Sequence, residues 1–352
     1  MKTKTCYRIL GIMSGTSLDG VDFADCKFSK GKSWHYEIKK TQTIAYSKKW
    51  RERLSNLHKK SDKEIDKTDI DYGKYLAQLI VKFKENSNLS FDYIASHGHT
   101  IFHQPEKGFT LQIGDGKTIA NLTQITTIFN FRSLDISLGG EGAPLVPIGD
   151  LYLFSKYKYC INLGGFSNIS IKGNEKITAF DICPVNIVLN QLSKKLGFEF
   201  DKNGALAKKG KLIPEILNKL NHLKFYKKNP PKSLGREWVE EFIGPIINSE
   251  HKIEDLLHTF CEHIAMQIGK FLKDEKVLVS GGGALNSYLI YRISHYAESE
   301  IIIPSSEIID YKEALIFGFL GVLKLRKEIN CLHTVTGAKR DSSAGEIFKP
   351  QA

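Results

Sequence analysis

The sequence predicts an α/β protein of two domains that share one duplicated α/β unit. Three observations predict it. The chain has 352 residues, more than one hydrophobic core usually holds, so two domains of roughly 130–200 residues are expected. A strand, a glycine-bearing turn and two further strands open the chain, and the same order recurs from Tyr159. Segments with apolar side chains at helical spacing follow each copy.

Taken in order, Tyr7–Met13 is apolar and strand-like and runs into the turn Ser14-Gly15-Thr16-Ser17. Val21–Phe28 alternates apolar and polar side chains as a half-buried strand does, and Trp34–Ile38 offers a third strand. Asp69–Lys84 places Ile70, Leu76, Leu79, Ile80 and Phe83 at helical spacing, and Phe91–Ser96 reads as a buried strand ending in His97-Gly98-His99-Thr100. Leu138–Pro144 (LGGEGAP) is rich in glycine and suits a hinge or a loop pressed against a ligand. The domain boundary is expected beside it, giving residues 1–132 and 133–352. In the second copy, Tyr159–Leu163, the turn Gly164-Gly165, Phe166–Ile171 and Lys176–Phe180 lead to Asp181 at a strand end. Glu254–Leu272 is an amphipathic helix with Leu257, Phe260, Ile264, Ile268 and Phe271 on one face. Val277–Val279 runs into Ser280-Gly281-Gly282-Gly283, and Leu285–Ile293 and Lys312–Lys327 read as helices. The small, polar tail from Gly337 is expected to be only partly ordered.

Composition removes several function classes. Hydrophobic residues at 41% and charged residues at 25% describe a globular chain, not a disordered one. No run approaches about 18 apolar residues, so no membrane-spanning helix and no membrane partner are expected. The amino terminus lacks the pattern of a secretory signal. The six cysteines contain no CxxC pair, which fits free thiols in a reducing cytoplasm. The net charge of +11 comes mostly from lysines spread along the whole chain, so a solvated surface is expected and a nucleic-acid partner is not.

Three glycine turns after three strands form the main functional clue, because missing side chains let backbone N–H groups approach an anion. In the first, Ser14 to Gly20, hydroxyls and amides suit terminal phosphates and Asp19 suits a metal. The second is Gly164-Gly165, with Ser167 and Asn168 as further polar donors. The third, Gly281-Gly282-Gly283, suits an adenosine and its α-phosphate. Each is also an ordinary tight turn when taken alone. The chain has no GxxxxGK[ST], no GxGxxG after its first strand and no GxSxG, so P-loop, Rossmann and hydrolase-elbow readings lack support. Asp181 suits either a general base in phosphoryl transfer or a turn-capping aspartate. His97 and His99 suit a sugar-binding loop or half of a metal site, and His103 suits surface or packing. Arg132 suits a ligand fork or a local salt bridge with Asp135. Glu313 suits a sugar hydroxyl or the N-terminal dipole of its helix.

Together these segments resemble the anhydro-N-acetylmuramic acid kinases of the actin/hexokinase/heat-shock-ATPase superfamily. The likeness runs over GIMSGTSLDGVD (11–22), SHGHT (96–100), TLQIGD (110–115), FR with GGEGAPLVP (131–147) and NLGGFSNIS (162–170). It continues over FDICPVN (180–186), PPKSLGREW (230–238), SGGGALN (280–286) and EALIFGFL (313–320). The resemblance implies a two-domain actin-like ATPase (ribonuclease H-like) fold with ATP in an interdomain cleft. It implies conversion of 1,6-anhydro-N-acetylmuramic acid, ATP and water to N-acetylmuramic acid 6-phosphate and ADP, a step of peptidoglycan recycling. By the same resemblance Asp181 is the catalytic base. Gly15, Thr16, Ser17, Leu18, Asp19, Gly20, Val21 and Asp22 hold ATP phosphates with Mg²⁺, alongside Gly164, Gly165, Gly281, Gly282 and Gly283. His97, Arg132 and Glu313 are the sugar-side residues, and a cytoplasmic homodimer is expected. The family's Phe-Asp-Thr-Gly-Pro-Gly-Asn appears here with Ile182, Cys183 and Val185 at the Thr and Gly positions. Asn130, Glu141 and His99 replace a usual aspartate, glutamine and glutamine. Two other readings stand beside this one: a kinase of another anhydrosugar or amino sugar, and a nucleotide-binding protein that has lost catalysis.

Overall fold

The computed structural model describes residues 4–15, 17–86, 90–173, 176–248 and 250–351. The strands, in chain order, are β1 (Cys6–Ser14), β2 (Gly20–Lys30), β3 (Trp34–Ala45), β4 (Tyr93–Gln104), β5 (Phe109–Ile113), β6 (Thr126–Phe129), β7 (Tyr159–Leu163), β8 (Phe166–Lys172), β9 (Ile177–Pro184), β10 (Lys273–Ser280), β11 (Glu298–Ile302) and β12 (Glu346–Phe348). The helices that matter below are α1 (Asp62–Glu85), α2 (Pro147–Leu153), α3 (Asn186–Lys194), α4 (Ile253–Gly269) and α5 (Ser306–Leu325). The chain divides into two units, Met1–Leu153 with Tyr311–Ala352, and Phe154–Asp310. The boundary expected at 132/133 differs from this division. The glycine-rich run 138–144 belongs to the first unit, because Asp135 accepts the Gly142 N–H at 2.8 Å and Glu141 N–H donates to Thr336 O at 2.8 Å. The chain also returns to the first unit within α5, which no composition change announces.

In the first unit the sheet order is β3-β2-β1-β4-β6-β12, with β5 on the far part of β4. β1, β2 and β3 form an antiparallel meander, while β4 and β6 add in parallel. Parallel neighbours need a long crossover, and α1 lies in the crossover to β4. Its inner face buries Ile65, Tyr72, Leu76, Ile80 and Phe83 on a core with Leu10, Ile12, Phe23 and Ile94. α1 begins seven residues before the apolar pattern does, because its first two turns, DKEIDKT, are mostly polar. The tail from Gly337 is tied down, contrary to expectation: Cys331 pairs with Ser342, and β12 pairs antiparallel with β6.

In the second unit the order is β9-β8-β7-β10-β11, again an antiparallel meander (β7, β8, β9) followed by parallel strands. Each unit therefore carries the same three-strand meander plus parallel strands, the ribonuclease H-like order of actin-like ATPases, and the duplicated α/β fold class is what the structure has. α4 is the central helix of this core, burying Leu257, Phe260, Ile264 and Ile268. β10 starts four residues before the apolar triplet because its first half, Lys273 to Lys276, is exposed.

α5 starts at Ser306, not Lys312, and packs against β1 where Gly11 and Ala314 meet. The neighbouring Lys312 forms a buried ion pair with Asp150 of α2 at 2.6 Å. A β-carbon on Gly11 would collide with the Ala314 carbonyl. Overpacking of a rigid backbone contact costs about 1–3 kcal/mol. Gly11→Ala should therefore lower Tm by several degrees in a thermal unfolding scan, and an unchanged Tm would show that β1 and α5 are not in this contact.

Candidate active site

In the first unit β1 ends at Ser14 and β2 begins at Gly20, so residues 15–19 form a loop at the carboxyl end of β1. That is the end at which open α/β sheets bind ligands. Thr16 lies outside the described residues. Ser17 and Asp19 are exposed, and the Leu18 N–H donates to Gly15 O at 3.3 Å. Leu18 has φ 61, a left-handed conformation that costs a residue with a β-carbon about 1–3 kcal/mol and persists where surroundings impose it. Its side chain packs on the first core. Gly20 and Val21 belong to β2. A β-carbon on Gly20 would sit 2.5 Å from Ile44 O, and Val21 is fully buried, so both side-chain positions serve the sheet. Behind the loop runs a buried chain of polar groups. Ser14 Oγ lies 2.6 Å from Tyr46 OH and 2.8 Å from His99 Nδ1, and Tyr46 OH bonds in turn to Tyr72 OH. Burial pushes the Tyr46 phenol up to about 12 and the His99 imidazole down to about 4, so these groups are neutral at pH 7.

His97 and Arg132 meet. His97 is buried, and its Nε2 accepts from Arg132 Nε at 3.0 Å and Nη2 at 2.9 Å. Two guanidinium donors on one ring nitrogen require the Nδ1–H tautomer, whose proton goes to Gly98 O at 2.9 Å. Burial and the adjacent Arg132 hold the His97 pKa well below its ordinary value, so it stays a neutral acceptor. Arg132 Nη1 donates to Gly142 O at 2.7 Å, and desolvation brings its pKa down to about 10. One hydrogen on each terminal nitrogen is left for a ligand. Glu313 stands eight residues into α5, so the helix-dipole alternative falls away. Its side chain is exposed yet hemmed in by protein. The partial loss of water raises its carboxyl pKa, against the pull of Arg132 and Lys312 and with the push of Asp22. Asp22 Oδ1 accepts from Thr43 Oγ1 at 2.6 Å, which is 3.1 Å from Tyr311 OH. Asp22 thus stands with the Glu313 group and not at the loop tip.

In the second unit Gly164-Gly165 and Gly281 to Gly283 follow the neighbouring parallel strands β7 and β10. The first turn is largely committed to structure. Gly164 N–H donates to Phe166 O, and the Gly164 and Gly165 carbonyls accept from Val185, Asn186 and Ile187 N–H at the start of α3. Ser167 is buried and bonded to the Cys183 backbone, so it is not the ligand donor expected of it. Gly281 has φ 82, and a β-carbon there would collide with Asn162 Oδ1. At Gly283 one would lie 2.7 Å from Leu163 Cβ, whereas Gly282 is exposed with nothing within 4 Å.

Asp181 lies inside β9, not at its end, beside a register shift opposite Ser167/Asn168. Such bulges re-aim side chains next to functional sites. The N-cap of α3 is Val185, so Asp181 caps no helix. Its N–H donates to Lys232 O at 3.0 Å, and Leu234 N–H donates to Oδ2 at 2.8 Å. Among the described residues Oδ1 has no hydrogen-bond partner. Burial raises the carboxyl pKa, and the Leu234 bond opposes that rise. Asn168, exposed, is directly across the ladder and shares its face.

The family model for anhydro-N-acetylmuramic acid kinase matches residues 7–350. Anhydro-N-acetylmuramic acid kinase of Francisella tularensis subsp. novicida (strain U112) is 35% identical, over 96% of this chain and 97% of that one. Those of Actinobacillus pleuropneumoniae serotype 7 (strain AP76) and Bacillus thuringiensis (strain Al Hakam) are 34% and 31% identical, each with 97% or more of both chains covered. The chain belongs to the anhydro-N-acetylmuramic acid kinase family.

Within this family frame the replaced residues after Asp181 have a structural account. Ile182, Cys183 and Val185 are each buried to within 1% exposure and join the second core, so packing fills the turn after Asp181. His99 is a partner of Ser14, 2.8 Å from its Oγ. Asn130 donates to Glu346 Oε1 at 2.6 Å, and Glu141 is exposed. His103 is exposed and 3.2 Å from Thr110 Oγ1. Among the described residues no three His, Cys, Asp or Glu side chains gather as a metal cage. The groups that the sequence did not reveal are Tyr46, Tyr72 and Thr43 in the first unit and Leu234 in the second. Only Leu234 carried a signal, the glycine-bearing run KSLGREW. The glycines of the third turn make a test. Gly281→Ala should lower Tm, while Gly282→Ala should leave Tm unchanged. Equal effects of the two on Tm would contradict this placement.

Proposed function

We propose that the chain is an ATP-dependent kinase that converts 1,6-anhydro-N-acetylmuramic acid, with water, to N-acetylmuramic acid 6-phosphate and ADP. The observation that carries the mechanism is the Asp181 carboxylate, with one oxygen tied to Leu234 N–H and the other open. Asp181 takes a proton from a water whose oxygen attacks the anomeric carbon. The bond from that carbon to the bridging oxygen breaks, and the freed 6-oxygen attacks the γ-phosphorus as ADP leaves. The Asp181 proton then returns to solvent. Raising the Asp181 pKa makes it a better acceptor than an ordinary aspartate at neutral pH.

Arg132 presents its two remaining N–H groups to oxygens of the sugar, with His97 fixing the plane of the fork. Glu313 and Asp22 accept from sugar hydroxyls. The Gly15–Asp19 loop receives the ATP phosphates on main-chain amides, and the nucleoside lies against the open Gly282, while Gly281 and Gly283 let the turn pack on Asn162 and Leu163. Mg²⁺ bound to ATP phosphates keeps most of its waters and needs only one or two carboxylates from the protein. The exposed Asp19 is the carboxylate available to hold it, and the ion would offset phosphate charge. A cytoplasmic setting fits the free cysteines. The proposed assembly is a homodimer without nucleic-acid or membrane partners. No described helix is long and apolar enough to cross a membrane.

Asp181→Asn should lower kcat by about 10²–10⁴-fold, with ATP binding measured by calorimetry retained. In the wild type the acid limb of kcat should fall above the ordinary aspartate value of 3.8, because burial raises the folded pKa and the base works only when ionised. Unchanged turnover in Asp181→Asn would remove Asp181 from its role.

A further inference from the structure

Asp181 lies on β9, the edge strand of the second sheet. An edge strand has one row of backbone groups with no ladder partner. At Asp181 the segment 232–234 meets the strand twice: Lys232 O accepts the backbone N–H of Asp181, and Leu234 N–H donates to the side-chain Oδ2. The Leu234 bond orients the carboxylate and the Lys232 bond ties the same segment to the strand, so whatever holds the segment in place also holds the base.

The Lys232 side chain does not reach for a carboxylate. Its Nζ lies 4.7 Å from the ring centre of Phe225, 5.8 Å from that of Phe180 and 5.9 Å from that of Phe271, and 3.5 Å from Phe225 O. Phe180 is the residue immediately before Asp181 on β9. Phe180 and Phe271 pack edge to face at 5.1 Å, and Phe225 is itself braced by Trp238 at 5.4 Å. A lysine ringed by three aromatic faces is bound by cation–π attraction and by packing of its methylene stem. No acidic residue forms a salt bridge with it among the described residues. The cage thus grips the segment on one side of β9 while its backbone meets Asp181.

We infer that Lys232, seated in the Phe180–Phe225–Phe271 cage, is a positioning residue that holds the 232–234 segment on β9 and so fixes the orientation of the Asp181 carboxylate. This presupposes Asp181 as the general base of the reaction proposed above. The Leu234 N–H bond favours the ionised carboxylate. Loosening the segment weakens that bond, so the Asp181 pKa rises further and the acid limb of kcat moves to higher pH. The other titratable groups at this corner are Lys232 itself, whose pKa desolvation and Lys270 lower, Cys183 on β9, Tyr226 beside Phe225, His263 bonded to Tyr226, which burial brings down to about 3, and Lys270 after α4. Burial keeps the Cys183 thiol protonated, up to about 12, and raises the Tyr226 phenol, while desolvation lowers Lys270. The Cys183 and Tyr226 shifts lead away from the acid range in which the limb is read.

The experiment compares Lys232→Ala, Lys232→Met and Lys232→Arg with wild type and with Asp181→Asn. Each is assayed for sugar-dependent ADP release across pH, with circular dichroism and thermal melting as folding controls. Lys232→Ala should lower kcat about tenfold, leave KM for ATP and sugar within about twofold, and shift the acid limb upward. Lys232→Arg, which keeps a cation for the cage, should restore most of kcat and the limb. Lys232→Met, which fills the cage without charge, keeps the test open if the alanine variant does not fold, and should fall between the two. If Asp181→Asn is inactive while folded Lys232→Ala or Lys232→Met keeps wild-type kcat and acid limb, the positioning role is overturned and the base assignment survives. Turnover in Asp181→Asn instead overturns the base assignment, and this inference with it. A fall in kcat that Lys232→Arg does not rescue, or with no movement of the limb, also counts against the positioning role.

Discussion

The hydrogen bond from Leu234 N–H to Asp181 Oδ2 is the contact on which the proposed chemistry depends. A half-buried carboxylate on an edge strand would otherwise be free to rotate, or would take up a proton and stay neutral. One donor on one oxygen orients the group, limits the rise of its pKa, and leaves the second oxygen open. The register shift beside Asp181 and the buried Ile182, Cys183 and Val185 complete the arrangement by making the strand itself rigid. The second unit thereby turns packing into proton affinity.

The first unit uses a different device, the neutral histidine. His97 is buried next to an arginine, which is tolerable only because the imidazole stays uncharged and its acceptor nitrogen faces the fork. A protonated His97 would repel Arg132 and have no acceptor to offer. His99 behaves alike behind the Ser14–Asp19 loop, where a chain of hydroxyls and one imidazole satisfies buried polar groups without adding charge. Such networks are stable when each member has a partner, and they hold a backbone in one shape. The left-handed Leu18 in the loop is held by packing on the first core and by its N–H bond to Gly15 O.

The duplicated strand order, the three glycine turns and the residue types of the site were all legible in the sequence, since each leaves a local mark of spacing or composition. What local marks cannot carry is partnership across distance. Leu234 reaches Asp181 from 53 positions away, and Tyr46 and Tyr72 meet Ser14 only because β3 and α1 fold beside β1. Gly20 looked like a loop residue because glycine marks turns, yet it is needed where two strands touch. Ser167 looked like a ligand donor until the bulge in β9 claimed its hydroxyl. The polar starts of α1 and β10 hid their true ends, and the return of the chain into the first unit through α5 has no sequence mark at all.

The most direct measurement of the central claim, that Asp181 activates water and not a sugar hydroxyl, is oxygen tracing. Turnover in ¹⁸O-enriched water, stopped early and analysed by mass spectrometry of fragments, should place one heavy oxygen on the carbohydrate portion of the product and none on its phosphate. Unlabelled product held in the same water for the same time controls for exchange at the anomeric carbon. Heavy oxygen on the phosphate, or an unlabelled sugar at full turnover, would contradict the account.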